Sequence, residues 1–314
     1  MYEQTHKIRE LINKPIIRCI LLQSGVLWDQ LSSCLDVIGD TELAITAYLR
    51  REFGESTEVR YLAVYGLLQA LFAQQDAVKF LCTSLGMPEK DPLKKYPRLI
   101  EIREIRNDTI GHPTMRDRQR KREKPPSYHF ISRPTLTHDG FQHVSFDSNG
   151  KLDFEDVSIP DLIEDQRTCL SEILTSVIGE LEQKGKAHKE KFKMEKLVTF
   201  FPATLDYDFE KVTEGTRAIE NDPRGKISLS TIKKAFQDFR EALAKRGVTY
   251  DSINYVYELL DYPLTELEAF FQNLQNGKEL NINEKTAFIF AFFVEKHVEE
   301  LKLLAQEIDD EYSS

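Results

Sequence analysis

The chain has 314 residues, 41% of them hydrophobic and 30% charged, a composition of globular protein with length for one large or two modest domains. Its formal net charge of −10 argues against wholesale electrostatic binding of nucleic acid, so any such contact must come from a local basic patch. The four cysteines, Cys19, Cys34, Cys82 and Cys169, include no CxxC pair; that spacing argues against thiolate metal sites and a disulfide framework, and fits a reducing cytoplasm.

In chain order, Ile8, Leu11 and Ile12 begin a first helix and residues 16–38 carry a second. Part of this second stretch, 16–28, is apolar, but Arg18, Gln23 and Ser24 interrupt it and it is too short for a membrane span. The N-terminal residues lack the basic and apolar pattern of a signal peptide, so a cytoplasmic location is expected. Asp40-Thr-Glu-Leu opens a third helix, with acidic residues in its first turn. Residues 57–85 are apolar nearly all round, as expected of a central bundle helix that stops near Gly86 and Pro88. A further helix is predicted over 93–111.

The character then changes. Residues 116–124 hold six basic and two acidic side chains, a local +4, followed by Pro125-Pro126. Segments 127–134, 141–147 and 151–159 are rich in β-branched and aromatic residues, with turn signals at Asp139-Gly140 and Asn149-Gly150, which predicts an antiparallel three-stranded insert over about 126–159. From Asp161 a long amphipathic helix runs to about Lys191. A domain boundary is placed after residue 195, leaving 196–314 as a C-terminal helical domain. There Ser230 caps one helix, a second spans 248–275 with a bend at Pro263, and Asn283 opens the last. The fold class is therefore mainly α: a helical bundle over 1–195 with a small β insert, and a second helical domain.

The segment most suggestive of chemistry is 101–113, where Arg106-Asn107 precedes His112 and Gly111 and Pro113 close the helix. Proton transfer to or from a phosphate ester suits a histidine just past a helix end, and a planar guanidinium suits the charge that builds on the phosphoryl oxygens. His112 would be the base or the acid; Arg106 would clamp the phosphoryl oxygens; Asn107 and Asp108 would orient substrate or imidazole. The structural alternative is an Arg106 paired with Glu104 or Asp108 and a His112 that only caps the helix. Two other Arg…His pairs, Arg122 with His129 and Arg133 with His138, fall in the predicted insert, where strand alternation accounts for them.

With that arginine, polar residue and histidine in a helical context, the N-terminal two-thirds resembles the HEPN superfamily (higher eukaryotes and prokaryotes nucleotide-binding). The resemblance implies an all-helical bundle and, for many members, a metal-independent ribonuclease of toxin–antitoxin, abortive-infection or CRISPR-linked systems. It implies a homodimer that joins two motifs at its interface and a cut leaving a 2′,3′-cyclic phosphate. One toxin subgroup has a tyrosine two residues after the histidine, where this chain has Thr114. The expected activity is thus that of a cytoplasmic endoribonuclease acting in stress or phage defence. The alternative is a non-catalytic helical adaptor or sensor, with a protein partner on residues 196–314.

Beside the motif, Arg116, Arg118, Arg120, Lys121, Arg122 and Lys124 form either an arm gripping RNA phosphates or a solvated loop. Gln69, Gln74, Gln75 and Asp76 interrupt the central helix and require partners; one reading has Asp76 or a glutamine reach the Arg106 helix. His129, His138 and His143 have no cysteine or acidic residue spaced with them, so no metal or cofactor is expected. Tyr207, Tyr250, Tyr255, Tyr257 and Tyr262 are expected to pack between helices. No phosphate-binding loop, GxSxG elbow or HExxH motif occurs.

Overall fold

The computed structural model describes the chain except residues 26, 27, 53, 55, 90, 115–126, 148, 218–222, 249, 250 and 314. The protein is mainly α with one small sheet, and it divides into two compact units. The first holds residues 1–14 and 24–183; the second holds 15–23 and 184–314. No described helix is long and apolar enough to cross a membrane.

The first unit contains α1 (Tyr2–Ile12), α3 (Trp28–Leu49), α4 (Thr57–Ser84), α5 (Pro97–Arg106) and most of α6 (Ile159–Phe192). The expected break at Asp40 does not occur. Gly25, at φ +71, terminates α2 (Pro15–Gln23), and α3 then runs unbroken from Trp28. Thr41 sits inside it, its hydroxyl donating to the Val37 carbonyl at 2.7 Å, while Ile38 and Ile45 bury the same face. Central α4 starts where Ser56 accepts a bond from the Val59 amide at 3.4 Å. It buries Leu67, Leu68, Leu71 and Val78, each at most 2% exposed, as its apolar girth requires. Its buried glutamines find partners on α6. Gln166 donates to Gln74 Oε1 at 2.9 Å and to the Leu71 carbonyl at 3.0 Å, and it accepts from Gln75 at 2.8 Å.

The insert forms as expected, with order β1 (Ser127–Ile131), β2 (Gly140–Asp147), β3 (Leu152–Ser158), all antiparallel. Tyr128 faces Phe146, and Ile131 faces His143. Asp147 closes the β2–β3 turn by accepting from the Asn149 and Lys151 amides, and Gly150 takes φ +77 there.

The second unit contains α2, the end of α6, α7 (Thr204–Gly215), α8 (Arg224–Arg246), α9 (Asp251–Gln275) and α10 (Glu284–Ser313). Its core gathers Phe192, Leu205, Phe209, Phe236, Phe239, Phe270, Phe271 and Leu301, with Ile16 and Cys19 of α2 among them. The compact units part at 183/184, inside α6, rather than at the expected 195/196, because Phe192 at the end of α6 belongs to this core. α8 starts at Arg224 after Pro223, six residues before Ser230, which lies exposed in its interior. Pro263 does not divide α9. The Asn283 cap holds, its Oδ1 accepting the Thr286 amide at 2.9 Å. Tyr257 is partly buried and donates to the Phe236 carbonyl at 3.0 Å, Tyr262 is largely exposed but packs edge-on against Phe290 of α10 at 5.7 Å, and Tyr207 and Tyr255 are exposed. Tyr250 lies outside the described residues.

Candidate functional site

The expected helix over 93–111 is built in three pieces. A short 3₁₀ turn, Pro92–Lys95, leads into α5, which buries Leu99, Ile102 and Ile105. It ends in a π-helical turn, Asn107–Gly111, whose wider winding closes with the His112 amide donating to the Asn107 carbonyl at 2.8 Å. The motif thus lies across a single π turn, with Arg106 before it and His112 after it.

The half-buried Arg106 is fixed from three sides. Its Nε and Nη2 donate to Gln69 Oε1 at 3.1 and 2.7 Å, its Nη1 donates to Asn107 Oδ1 at 3.0 Å, and its guanidinium lies 4.4 Å from the centre of the Phe72 ring. Arg103 shares that ring at 4.0 Å and pairs with Asp76 at 2.8 Å. Gln69 and Asp76 therefore both reach the motif helix, as the polar residues of α4 led us to expect. Asn107 orients the arginine. Gly111 has a role beyond stopping the helix: a Cβ there would lie 3.0 Å from Arg106 Nη1. A guanidinium has five N–H donors, and the bonds formed among the described residues use three. His112 is exposed, and no hydrogen bond or ion pair among the described residues joins it to Arg106.

Asp108 is placed elsewhere. It is 7% exposed and turns from the Arg106 and His112 side chains toward the sheet, its Oδ1 3.7 Å from His129 Nε2. His129 and His143 are buried on one face of the sheet as diagonal neighbours across β1 and β2. Their rings are parallel within 3°, with His129 Nδ1 and His143 Nε2 3.1 Å apart. Ser127 Oγ meets His129 Nε2 at 2.8 Å, and the half-exposed Glu155 lies 3.6 Å from His143 Nδ1. Among the described residues, Asp108, His129 and His143 form the one group able to hold a metal ion, with a ligand atom of each within 4.8 Å of the others. The sequence carries the histidines in plain view; the acidic partner, more than a dozen residues upstream, is supplied by the π turn. His138 stands apart, its ring 4.6 Å from that of Tyr48, which donates to the His138 carbonyl.

The basic run Arg116, Arg118, Arg120, Lys121, Arg122 and Lys124 lies outside the described residues. Comparison with family models, with curated proteins and with solved structures finds no match for this chain.

Proposed function

We propose that this protein is an endoribonuclease of the HEPN type, working as a homodimer through its motif-bearing face. One observation carries the reading: Arg106 is held in place before any substrate arrives, with donors to spare, one π turn from an exposed imidazole. Preorganised donors are what a developing phosphorane charge requires, because no reorganisation is spent at the moment of reaction. His112 takes the 2′-hydroxyl proton, the 2′-oxygen attacks the adjacent phosphorus, and the P–O5′ bond breaks. A second copy's His112 protonates the leaving 5′-oxygen, giving a 2′,3′-cyclic phosphate and a 5′-hydroxyl. Gln69, Asn107 and Gly111 position the arginine. The cationic run 116–124 supplies phosphate contacts, so RNA affinity should fall with salt at a log–log slope of about −0.7 per contact.

The test is product chemistry. Purified wild-type protein should leave cyclic phosphate ends on RNA, while His112→Ala lowers the rate by about 10²–10⁴ and Arg106→Ala by about 10²–10³, both with unchanged circular dichroism. In cells, induction of the wild type but not of His112→Ala should arrest growth, as a stress or phage-defence effector would. Equal rates for wild type and His112→Ala would sink the reading. A second reading, a non-catalytic adaptor, draws on the second unit, where Tyr255, Tyr262, Ile289 and Phe292 are more than half exposed. It predicts that His112→Ala leaves growth and partner capture untouched.

A further inference from the structure

The buried cluster beneath the π turn takes no part in the chemistry just described, and its composition is unusual for a sheet face. Two imidazoles and a carboxylate, each less than a tenth exposed, converge from three separate segments. Buried ionisable groups are costly unless paired or bound to a cation.

We propose that Asp108, His129 and His143 bind a first-row transition-metal dication, of which Zn²⁺ is the leading member. The donor set selects the class. Two nitrogen ligands and one carboxylate suit zinc, iron, cobalt or nickel, whereas magnesium and calcium want oxygen alone. The spacing also fits, since two nitrogens at tetrahedral zinc sit about 3.3 Å apart and the facing nitrogens here are 3.1 Å apart. The outer nitrogens have partners of the kind that orient metal-binding histidines. The Glu155 carboxylate lies 3.6 Å from His143 Nδ1, and the Ser127 hydroxyl meets His129 Nε2 at 2.8 Å. The inward nitrogens, His143 Nε2 and His129 Nδ1, face each other and would take the ion in place of that contact, with the Asp108 carboxylate drawn in from beside His129 Nε2. Three protein ligands leave a further coordination position for water.

The consequence is mechanical. Asp108 belongs to the π turn that separates Arg106 from His112, and the backbone of β1 is already tied to the residue after the motif, the His129 amide donating to the Pro113 carbonyl at 2.8 Å. An ion at the cluster staples the turn to β1 and β2 from below, while His112 faces outward. Its role is to hold the turn.

The experiment reads metal content of the full chain without RNA, so its outcome is independent of the ribonuclease reading. Protein purified from zinc-supplemented cells, and apo-protein reconstituted with Zn²⁺ or Co²⁺, should carry one equivalent by elemental analysis. The cobalt form should show the visible bands of a four- or five-coordinate site. A hundredfold excess of Zn²⁺ over Kd should raise the Tm of the apo-protein by roughly 5 °C. His143→Asn and His129→Asn should lose the equivalent and the bands, and His6→Ala, exposed on α1, should keep both. Where a histidine variant fails to fold, Asp108→Asn, which keeps the shape and removes the charge, should show the same loss. A wild-type chain that takes up no Zn²⁺ or Co²⁺ would overturn the proposal and leave a pair of imidazoles sharing a proton. Full occupancy in His143→Asn or Asp108→Asn would overturn it by placing the ion elsewhere.

Discussion

Among the described residues each unit buries a cluster of ionisable side chains, and the two differ in the kind of charge they bring together. In the second unit opposite fixed charges meet within the chain, although Arg246 Nε and Nη1 make no hydrogen bond among the described residues. Arg246 and Asp309 are each 1% exposed and 3.6 Å apart. Both Asp309 oxygens also accept backbone amides, Leu197 and Val198 at 2.9 Å each, at the start of a 3₁₀ turn (Leu197–Phe200). Arg246 donates to the Glu195 carbonyl and lies 5.1 Å from the centre of the Tyr312 ring. In the first unit the carboxylate of Asp108 meets imidazoles, whose charge follows a proton or a metal ion. The lesson is that a guanidinium–carboxylate pair gives a fixed keystone, whereas an imidazole–carboxylate group gives one that can respond to its surroundings.

Three experiments sharpen or break this contrast. The largest effect is expected from Asp309→Ala, which strands a buried guanidinium and two amides and should cost about 3–5 kcal/mol by urea unfolding. Hydrogen exchange should localise the loss to the Leu197 and Val198 amides, and adding Arg246→Met, which removes the stranded charge, should recover part of it. If Asp309→Ala proves neutral, the pair is no keystone. Next comes Gln166→Leu in the first unit, where the group removed is a neutral amide. Losing the partner of Gln74 Oε1 and of Gln75 Nε2 should cost about 1–3 kcal/mol, less than Asp309→Ala. A larger cost for the amide would reverse the ranking on which the comparison rests.

The smallest effect concerns His188, beside the second cluster. Its Nε2 donates to the Arg246 carbonyl at 3.1 Å, which leaves Nδ1 to accept from the Tyr312 hydroxyl. Burial pushes its pKa below the ordinary value, the carbonyl raises it, and Lys191 and Arg246 add repulsion. The unfolded chain therefore binds the proton more readily. His188 contributes its stability in full above its unfolded pKa of about 6.5 and loses it as pH falls through the folded value. His188→Gln should flatten the decline of the urea midpoint between about pH 6.5 and 5. An unchanged slope would assign that decline to other groups.

Much of the fold is legible along the chain. The apolar girth of α4, the three short strands, the long amphipathic α6 and the Asn283 cap all follow from periodicity and end signals. Local signals misled where the signal was real but outcompeted. Asp40 and Ser230 both resemble helix starts, yet Gly25 and Pro223 set the actual ones, and burial of Ile38 and Ile45 carries α3 past Asp40. For the candidate site, the spacing of Arg106, Asn107 and His112 on a helix end is visible in the sequence. So are the polar residues of α4 that reach for a partner. The π turn is not, because it is one inserted residue in a helical ladder that propensity does not mark.

By itself, then, the sequence determined the element types, since helix and strand patterns repeat every 3.6 and 2 residues and are read locally. Tertiary structure alone decided which polar groups meet. The Arg106–Gln69 contact spans 37 residues and the His129–His143 contact 14. The second of these depends on the β1–β2 register, and the turn of Asp108 toward it depends on where the π turn docks. A one-residue slip in that register would turn one imidazole to the opposite face of the sheet, which is why composition and spacing along the chain do not reveal the cluster.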